Sequence, residues 1–475
     1  MNFRSYSIRT ICLILLVLPA IAAAQQKRNI LLIFADDMGY KDCGFTGSDK
    51  FETPNIDALA KSGMVFNNAY AGAGNCAPSR ACLLSGSYTP RHGVYAVGST
   101  TRGPLNLMRM VPVKNTTSLN PSFVTIAEAL KKQGYATGIF GKWHLGNKPG
   151  LTPKDQGFDE YNDSRANNPN KNVEGTDDPK GVFSLTNATI EFMQKQQGKP
   201  FFAYLAHHAI HSAQEALPAT LAKFKAKGLK NKDAMYAACV YDFDASIGLI
   251  MKYLKESGLD KNTLVVFTSD NGATQASSQE PLRGNKGSYY EGGIREPFIA
   301  SWPGYIKPST SNNTPIINLD LYPTFLALAG NKNIALDGEN LLPIFYGDKE
   351  NTQRKEIFWH FPGYLDNPVI RGRDSIFRTR PVTAMRKGDW KILLYHEEWL
   401  LDGGKNKITT NNAIELYNLK DDEGERKNLA NINPAKRDEM LQGLLNWLKK
   451  TNAPMPVKID ATHQLEKGGS AASDD

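Results

Sequence analysis

Unbroken apolar runs punctuate the first two thirds of the chain. They are Asn29-Ile-Leu-Leu-Ile-Phe34, Tyr135-Ala-Thr-Gly-Ile-Phe140, Pro200-Phe-Phe-Ala-Tyr-Leu205, Thr263-Leu-Val-Val-Phe267 and Pro297-Phe-Ile-Ala-Ser-Trp302. None alternates polar with apolar residues, which is the pattern of strands covered on both faces. Between them lie stretches with helical spacing, at Thr53 to Ala60, Phe123 to Leu130 and Ala234 to Glu256. Strand and helix alternating over this length predict a large, mostly parallel α/β sheet sandwiched by helices.

After about residue 360 the texture changes. Thr383 to Leu394 reads as a hairpin around Lys387-Gly388, and Glu415 to Leu419 as another strand. Pro434 to Lys450 is an amphipathic helix with Met440, Leu444, Leu445 and Leu448 on one face. These predict a smaller C-terminal antiparallel sheet with a helix on it. No internal repeat is visible. The expected division is a leader at 1–24, a main domain at 25–362 and a C-terminal subdomain at 363–475, ending in a disordered tail from Lys467.

The leader is a cleavable signal peptide by its parts: Arg4 and Arg9, an apolar run from Ile11 to Leu18, then Ala22-Ala-Ala24. The run is short for a membrane span, and no later stretch reads as one. The expected product is exported, periplasmic or secreted. Losing Arg4 and Arg9 lowers the formal charge from +8 to +6, a mild bias that suits an anionic substrate. The basic residues are dispersed, which argues against nucleic acid. Cys43, Cys76, Cys82 and Cys239 remain after cleavage, and their pairing is open.

Candidate chemistry sits where the runs end. The first leads into Asp36-Asp37, the second into Gly141-Lys142-Trp143-His144, the third into His207-His208-Ala-Ile-His211, and the fourth into Ser269-Asp270-Asn271-Gly272. In open α/β sheets ligands bind beyond the carboxyl ends of the strands. Asp36, Asp37, Asp270 and Asn271 are all hard oxygen donors, which favour calcium or magnesium over zinc. Either pair alone could equally be a turn or helix cap.

Asn75-Cys-Ala-Pro-Ser-Arg-Ala-Cys-Leu-Leu-Ser-Gly86 reads as a helix with Pro78 in its first turn and a stop near Gly86. Cys76 then lies at the helix start, with Arg80 one turn along the same face, and the residues alone suggest a thiol of lowered pKa.

Cys76-Ala-Pro-Ser-Arg80 followed by Leu83-Leu-Ser-Gly86 resembles the maturation signature of the type I, formylglycine-dependent sulfatases of the alkaline phosphatase superfamily. Asp36-Asp37, Gly141-Lys-Trp-His-Leu-Gly146, Thr268-Ser-Asp-Asn-Gly272 and Lys286-Gly-Ser-Tyr-Tyr-Glu-Gly-Gly-Ile-Arg295 resemble further family blocks in the family's order, as does Glu415 to Ala430. The resemblance implies an alkaline-phosphatase-like fold and a sulfuric ester hydrolase, acting on a sulfated carbohydrate or other sulfate ester. Cys76 would be oxidised by a separate formylglycine-generating enzyme, and its hydrate would attack sulfur to give a sulfated enzyme intermediate.

The same resemblance implies one calcium ion bound by Asp36, Asp37, Asp270, Asn271 and position 76. Arg80 would stabilise the nucleophile, and Lys142 and Lys286 would hold the sulfate oxygens. His144 would be the base that releases sulfate, and His211 would bind sulfate and protonate the leaving oxygen. The family's His-x-Pro is here His211-Ser-Ala213, so His208 stays an alternative to His211. Glu356 to Tyr364 and Arg371, Arg373, Arg378 and Arg380 either border the substrate or form a solvated basic loop. The alternative activity is a formylglycine-dependent phosphonate or phosphate monoester hydrolase. A non-catalytic glycan-binding protein would require decayed machinery, yet each expected position holds a workable residue.

Overall fold

A computed structural model describes residues 27–163, 177–196, 198–331 and 335–465. The expected leader and the tail from Lys467 lie outside the described residues. Eight strands form the main sheet: β1 Asn29–Ala35, β2 Met64–Phe66, β3 Ala136–Gly141, β4 Glu160–Asn162, β5 Phe201–Ala206, β6 Thr263–Ser269, β7 Ile299–Ser301 and β8 Thr310–Asn312. Their order is β8-β2-β7-β6-β1-β5-β3-β4. Every strand runs the same way except β7, which is antiparallel to both β2 and β6.

The unbroken apolar runs follow from this sandwich. Ile30, Leu32 and Phe34 of β1 join one buried cluster, while Leu31, Ile33 and Ala35 join another on the opposite face. β5 and β6 divide in the same way. The helices Ile126–Lys132 and Leu321–Leu328 cover the first face; Val182–Lys195 and Asn231–Glu256 cover the second. Each fully buried aliphatic or aromatic side chain contributes about 1.5–3 kcal/mol to this packing.

One expectation needs correction. Asn231–Glu256 is long and apolar enough to cross a membrane by length and composition. It packs into the core instead: 67% of its most apolar window is buried. Asp242 and Asp244 on it are buried and accept hydrogen bonds from Leu217, Thr220, Asn55 and Ile56. Cys43, Cys76, Cys82 and Cys239 are all buried free thiols.

The second sheet has four antiparallel strands in sequential order: β9 Glu356–Phe361, β10 Val382–Lys387, β11 Trp390–Tyr395 and β12 Ile414–Asn418. The predicted hairpin is β10–β11, and Gly388 takes its left-handed turn position at φ 58°. Helix Pro434–Lys450 lays Met440, Leu441, Leu444 and Leu448 on this sheet, and Trp447 stacks on Phe358 at 4.5 Å between ring centres. A buried triad ties this sheet to the short helix Glu291–Ile294: Lys391 of β11 lies 2.9 Å from both Glu291 and Glu425.

Candidate active site

The carboxyl ends of β1, β6, β3 and β5 meet at one place. Pairing of β1 with β6 puts Ala35 opposite Ser269, so Asp36 and Asp270 emerge side by side. The Asp270 N–H donates to Ala35 O at 3.2 Å. The chain after β5 is laced to the same point, with Asp36 N–H donating to Ala209 O and Ile210 N–H to Asp36 O. Asp37 has φ 64°, a left-handed conformation that Asp tolerates better than most residues. Its N–H donates to Asp270 Oδ1 at 3.1 Å.

Helix Cys76–Ser85 carries the signature, and every one of its residues is buried. Gly86 ends it at φ 63°, in the left-handed cap that glycine supplies. Cys76 Sγ lies 3.7 Å from Asp37 Oδ1. One ligand atom each from Asp36, Asp37, Cys76 and Asp270 all fall within 4.8 Å of one another. Arg80 grips Asp270 Oδ2 with Nε at 3.0 Å and Nη2 at 2.7 Å, and donates to the carbonyl of Lys142. Lys142 Nζ sits 2.7 Å from Asp36 Oδ2, and Lys286 Nζ 3.0 Å from Asp37 Oδ2. Asn271 Nδ2 donates to Asp37 Oδ1 at 2.7 Å.

These residues fit a hard cation. Among the described residues, Asp36 Oδ1 and Asn271 Oδ1 are buried with no hydrogen-bond partner, and buried oxygens of this kind normally have one. Burial opposes ionisation of Asp36, but Lys142, His211 and Arg80 hold it well below the usual carboxylate range. Asp37 is likewise lowered, against burial, chiefly by Lys286. Asp270 goes the other way: burial and the charge of Asp36 push it up despite Arg80. Three cationic side chains, Arg80, Lys142 and Lys286, contact these three carboxylates.

The lowered thiol pKa suggested by the residues alone is overturned. Burial pushes the Cys76 thiol well up, and the charge of Asp270 adds to it. His144 has φ 62° and a buried Nδ1 without a partner among the described residues. Burial and the charges of Lys142 and Arg80 hold it well below the usual histidine range, hence neutral. His211 Nε2 approaches Asp37 Oδ2 at 3.6 Å, and its Nδ1 donates to Ser212 O at 2.6 Å. His208 turns aside to Asp163 at 2.8 Å. His207 is sealed against Phe243, and burial lowers it to about 3.

The cluster therefore gathers Asp36, Asp37, Cys76, Arg80, Lys142, His211, Asp270, Asn271 and Lys286, with His144 beside Lys142. Beside Lys286 opens a cavity of about 300 Å³ lined by Ser212, Thr274, Gln275, Asn367 and Arg378, among others. Of these only Arg378 stood out in the sequence. The others carry common polar side chains on loops, and no spacing marks them.

Comparison with known proteins fits this geometry. Residues 28–331 match the family model "Sulfatase". This chain belongs to the sulfatase family. Residues 285–453 of the sulfatase also match "N-sulphoglucosamine sulphohydrolase, C-terminal". It is 32% identical to human arylsulfatase A, over 91% of this chain and 89% of that one. It is 36% identical to N-acetylgalactosamine-6-sulfatase of Mus musculus, over 73% and 72% of the two chains. Among solved structures, Ps i-CgsB in complex with k-i-k-neocarrahexaose superposes with a TM-score of 0.71 at 30% identity, covering 92% of this chain and 96% of that one. The sulfatase is a sulfuric ester hydrolase with the expected two-sheet α/β fold.

Proposed function

We propose that this sulfatase hydrolyses a sulfate ester of a carbohydrate, using formylglycine made from Cys76 and one calcium ion. The observation that carries the reading is the side chain of Cys76 inside one cluster with Asp36, Asp37 and Asp270, faced by Lys142 and Lys286. The sugar component draws on the relatives, which are named for, or bound to, sulfated or carbohydrate ligands. The leader-like first segment makes the enzyme periplasmic or secreted, and its Cys76 signature makes a formylglycine-generating enzyme its maturation partner.

Asp36, Asp37, Asp270 and the amide oxygen of Asn271 would hold the calcium ion. Hydrated formylglycine would supply one hydroxyl as nucleophile and a second for release of sulfate, and calcium would supply Lewis-acid chemistry. The chain's own residues do the rest. Arg80, fixed by its two bonds to Asp270, places a permanent charge one helical turn from position 76. Lys142 and Lys286 bring two ammonium groups to the cluster, at Asp36 and Asp37, where they bind the sulfate oxygens. His144, neutral and with Nδ1 unengaged, accepts the proton of the second hydroxyl. His211 has Nδ1 committed to Ser212 O, so Nε2 is the atom that donates to the leaving oxygen.

The direct test compares turnover of an aryl sulfate and an aryl phosphonate by the matured enzyme. Sulfate turnover should dominate; phosphonate turnover far above sulfate rejects the reading. A second expectation separates the histidines. His211→Ala should lower kcat on an alkyl or sugar sulfate by roughly 10²–10³-fold, and much less on an aryl sulfate, whose leaving group needs no proton. His208→Ala should stay within a few-fold of the wild type on both.

A further inference from the structure

The chain after β5 carries His211 on a segment that backbone bonds hold on one side only. Ile210 N–H donates to Asp36 O at 2.7 Å, which fixes the near side of the loop. Beyond His211, residues 212–216 make no backbone–backbone hydrogen bond among the described residues. No proline stiffens His211-Ser-Ala-Gln-Glu215. Yet the imidazole depends on this stretch, because its Nδ1 donates to Ser212 O at 2.6 Å. A carbonyl that orients a proton donor does so only if it is itself held still.

Lys180 holds it. Its Nζ donates to Ala213 O at 3.0 Å, one peptide beyond the carbonyl that accepts from His211. Lys180 is 2% exposed, although a lysine side chain ordinarily keeps its ammonium in water. Its backbone is left-handed, at φ 56° and ψ 12°, where lysine is rarely found. Such conformations persist where surrounding contacts over-determine them, and they gather at functional sites. The contacts here are explicit. Lys180 N–H donates to Glu215 Oε2 at 2.8 Å, so the same loop grips the lysine by its backbone as well. Asp178 Oδ1 accepts from Phe183 N–H at 2.8 Å at the start of helix Val182–Lys195, and Gly181 N–H donates back to Asp178 O at 3.1 Å. That helix packs on the main sheet. Gln214 closes the loop on itself, with Nε2 donating to Ile210 O at 3.2 Å. The lysine is a strut between a helix start and the peptide next to His211.

Resting on the reading of His211 as the donor to the leaving oxygen, we infer that Lys180 is a positioning residue for this imidazole. It acts through Ala213 and Ser212. Without the strut the Ser212 carbonyl shifts, the imidazole turns with it, and Nε2 loses its aim. Position 76, Arg80, Lys142 and Lys286 stand on other elements, so attack on sulfur is spared. Proton delivery matters for a poor leaving group and little for an acidic phenol. The role therefore has a signature that a merely structural lysine lacks.

The test uses the matured full-length enzyme with a series of aryl sulfates, from nitrophenyl to unsubstituted phenyl, and one alkyl and one sugar sulfate. Thermal unfolding checks that each variant folds. Lys180→Met should lower kcat on the alkyl and sugar sulfates by about tenfold or more, as a small misplacement of a catalytic group does. On nitrophenyl sulfate kcat should stay within about twofold, and KM within about twofold throughout. Plotted against leaving-group pKa, log kcat should fall more steeply than in the wild type. In a His211→Ala background Lys180→Met should add less than about twofold on any substrate, because the two residues act as a unit. If Lys180→Met fails to fold, Glu215→Ala decides, since it removes the grip on the lysine N–H from a half-buried position and should give the same pattern. An equal loss on every sulfate, no loss on any, or a full further loss in the His211→Ala background overturns the inference while the hydrolase reading stands. A His211→Ala variant whose loss ignores the leaving group overturns the reading beneath it.

Discussion

Cys76→Ala is expected to lower kcat/KM for an aryl sulfate by on the order of 10⁵-fold, since it removes the nucleophile that the cluster surrounds. The fold should survive, because the side chain is small and the helix that carries it is fixed by nine other buried residues. Cys76→Ser is more informative. Serine offers one hydroxyl, so it has nothing to deprotonate for release of sulfate. One equivalent of alcohol should appear as a burst, followed by arrest, with the sulfate retained on the protein in an intact-mass measurement. In the wild type the tryptic peptide containing Cys76 should carry the aldehyde after co-expression with a maturation enzyme. An unconverted thiol in a fully active preparation would falsify the assignment of the nucleophile.

Removing the cation should have the second largest effect. Dialysis against a calcium chelator is expected to cut activity by about 10³-fold, with recovery on adding calcium, as befits loss of a Lewis acid at the reacting oxygen. A thermal unfolding scan gives an independent readout. A ligand bound only to the folded state at a hundred times its Kd stabilises by about 2.7 kcal/mol, so the midpoint should fall on chelation. Asp37→Asn should mimic the loss and resist rescue. It removes the carboxylate that faces Lys286, Cys76 and His211, and leaves the Lys286 ammonium buried without its partner. Full activity and an unchanged midpoint in the chelated enzyme would remove calcium from the account.

Much of this is legible in the sequence. A strand packed on both faces leaves an unbroken apolar run, so β1, β5 and β6 announce themselves, and the polar doublets that end them mark the site. The histidines after β5 were less readable. Counting along a strand says where the chain goes, but not which of His208 and His211 turns inward. The Asp163 carboxylate that engages His208 is remote in sequence. The thiol was misjudged because a helix start and a nearby arginine are visible in sequence, whereas complete burial among carboxylates is not. Glu356 to Tyr364 reads in sequence as either a substrate border or a solvated loop, from its place near the domain junction. Its first six residues form the edge strand β9, where Trp359 donates to Ala71 O and His360 bonds Thr383 and Pro454. The cavity lining was invisible because it is assembled from separate loops with ordinary polar residues.

The strand order has a temporal corollary. β1 is synthesised first but lies between β5 and β6, which come far later in the chain. Asp36 and Asp37 gain their companions only after the ribosome has passed Lys286. A nascent or proteolytically clipped chain can display the entire Cys76 signature and still be chemically inert. Sequence-distant pairing of this sort makes renaturation slow, so recovery of activity after denaturant removal should lag behind recovery of helical content.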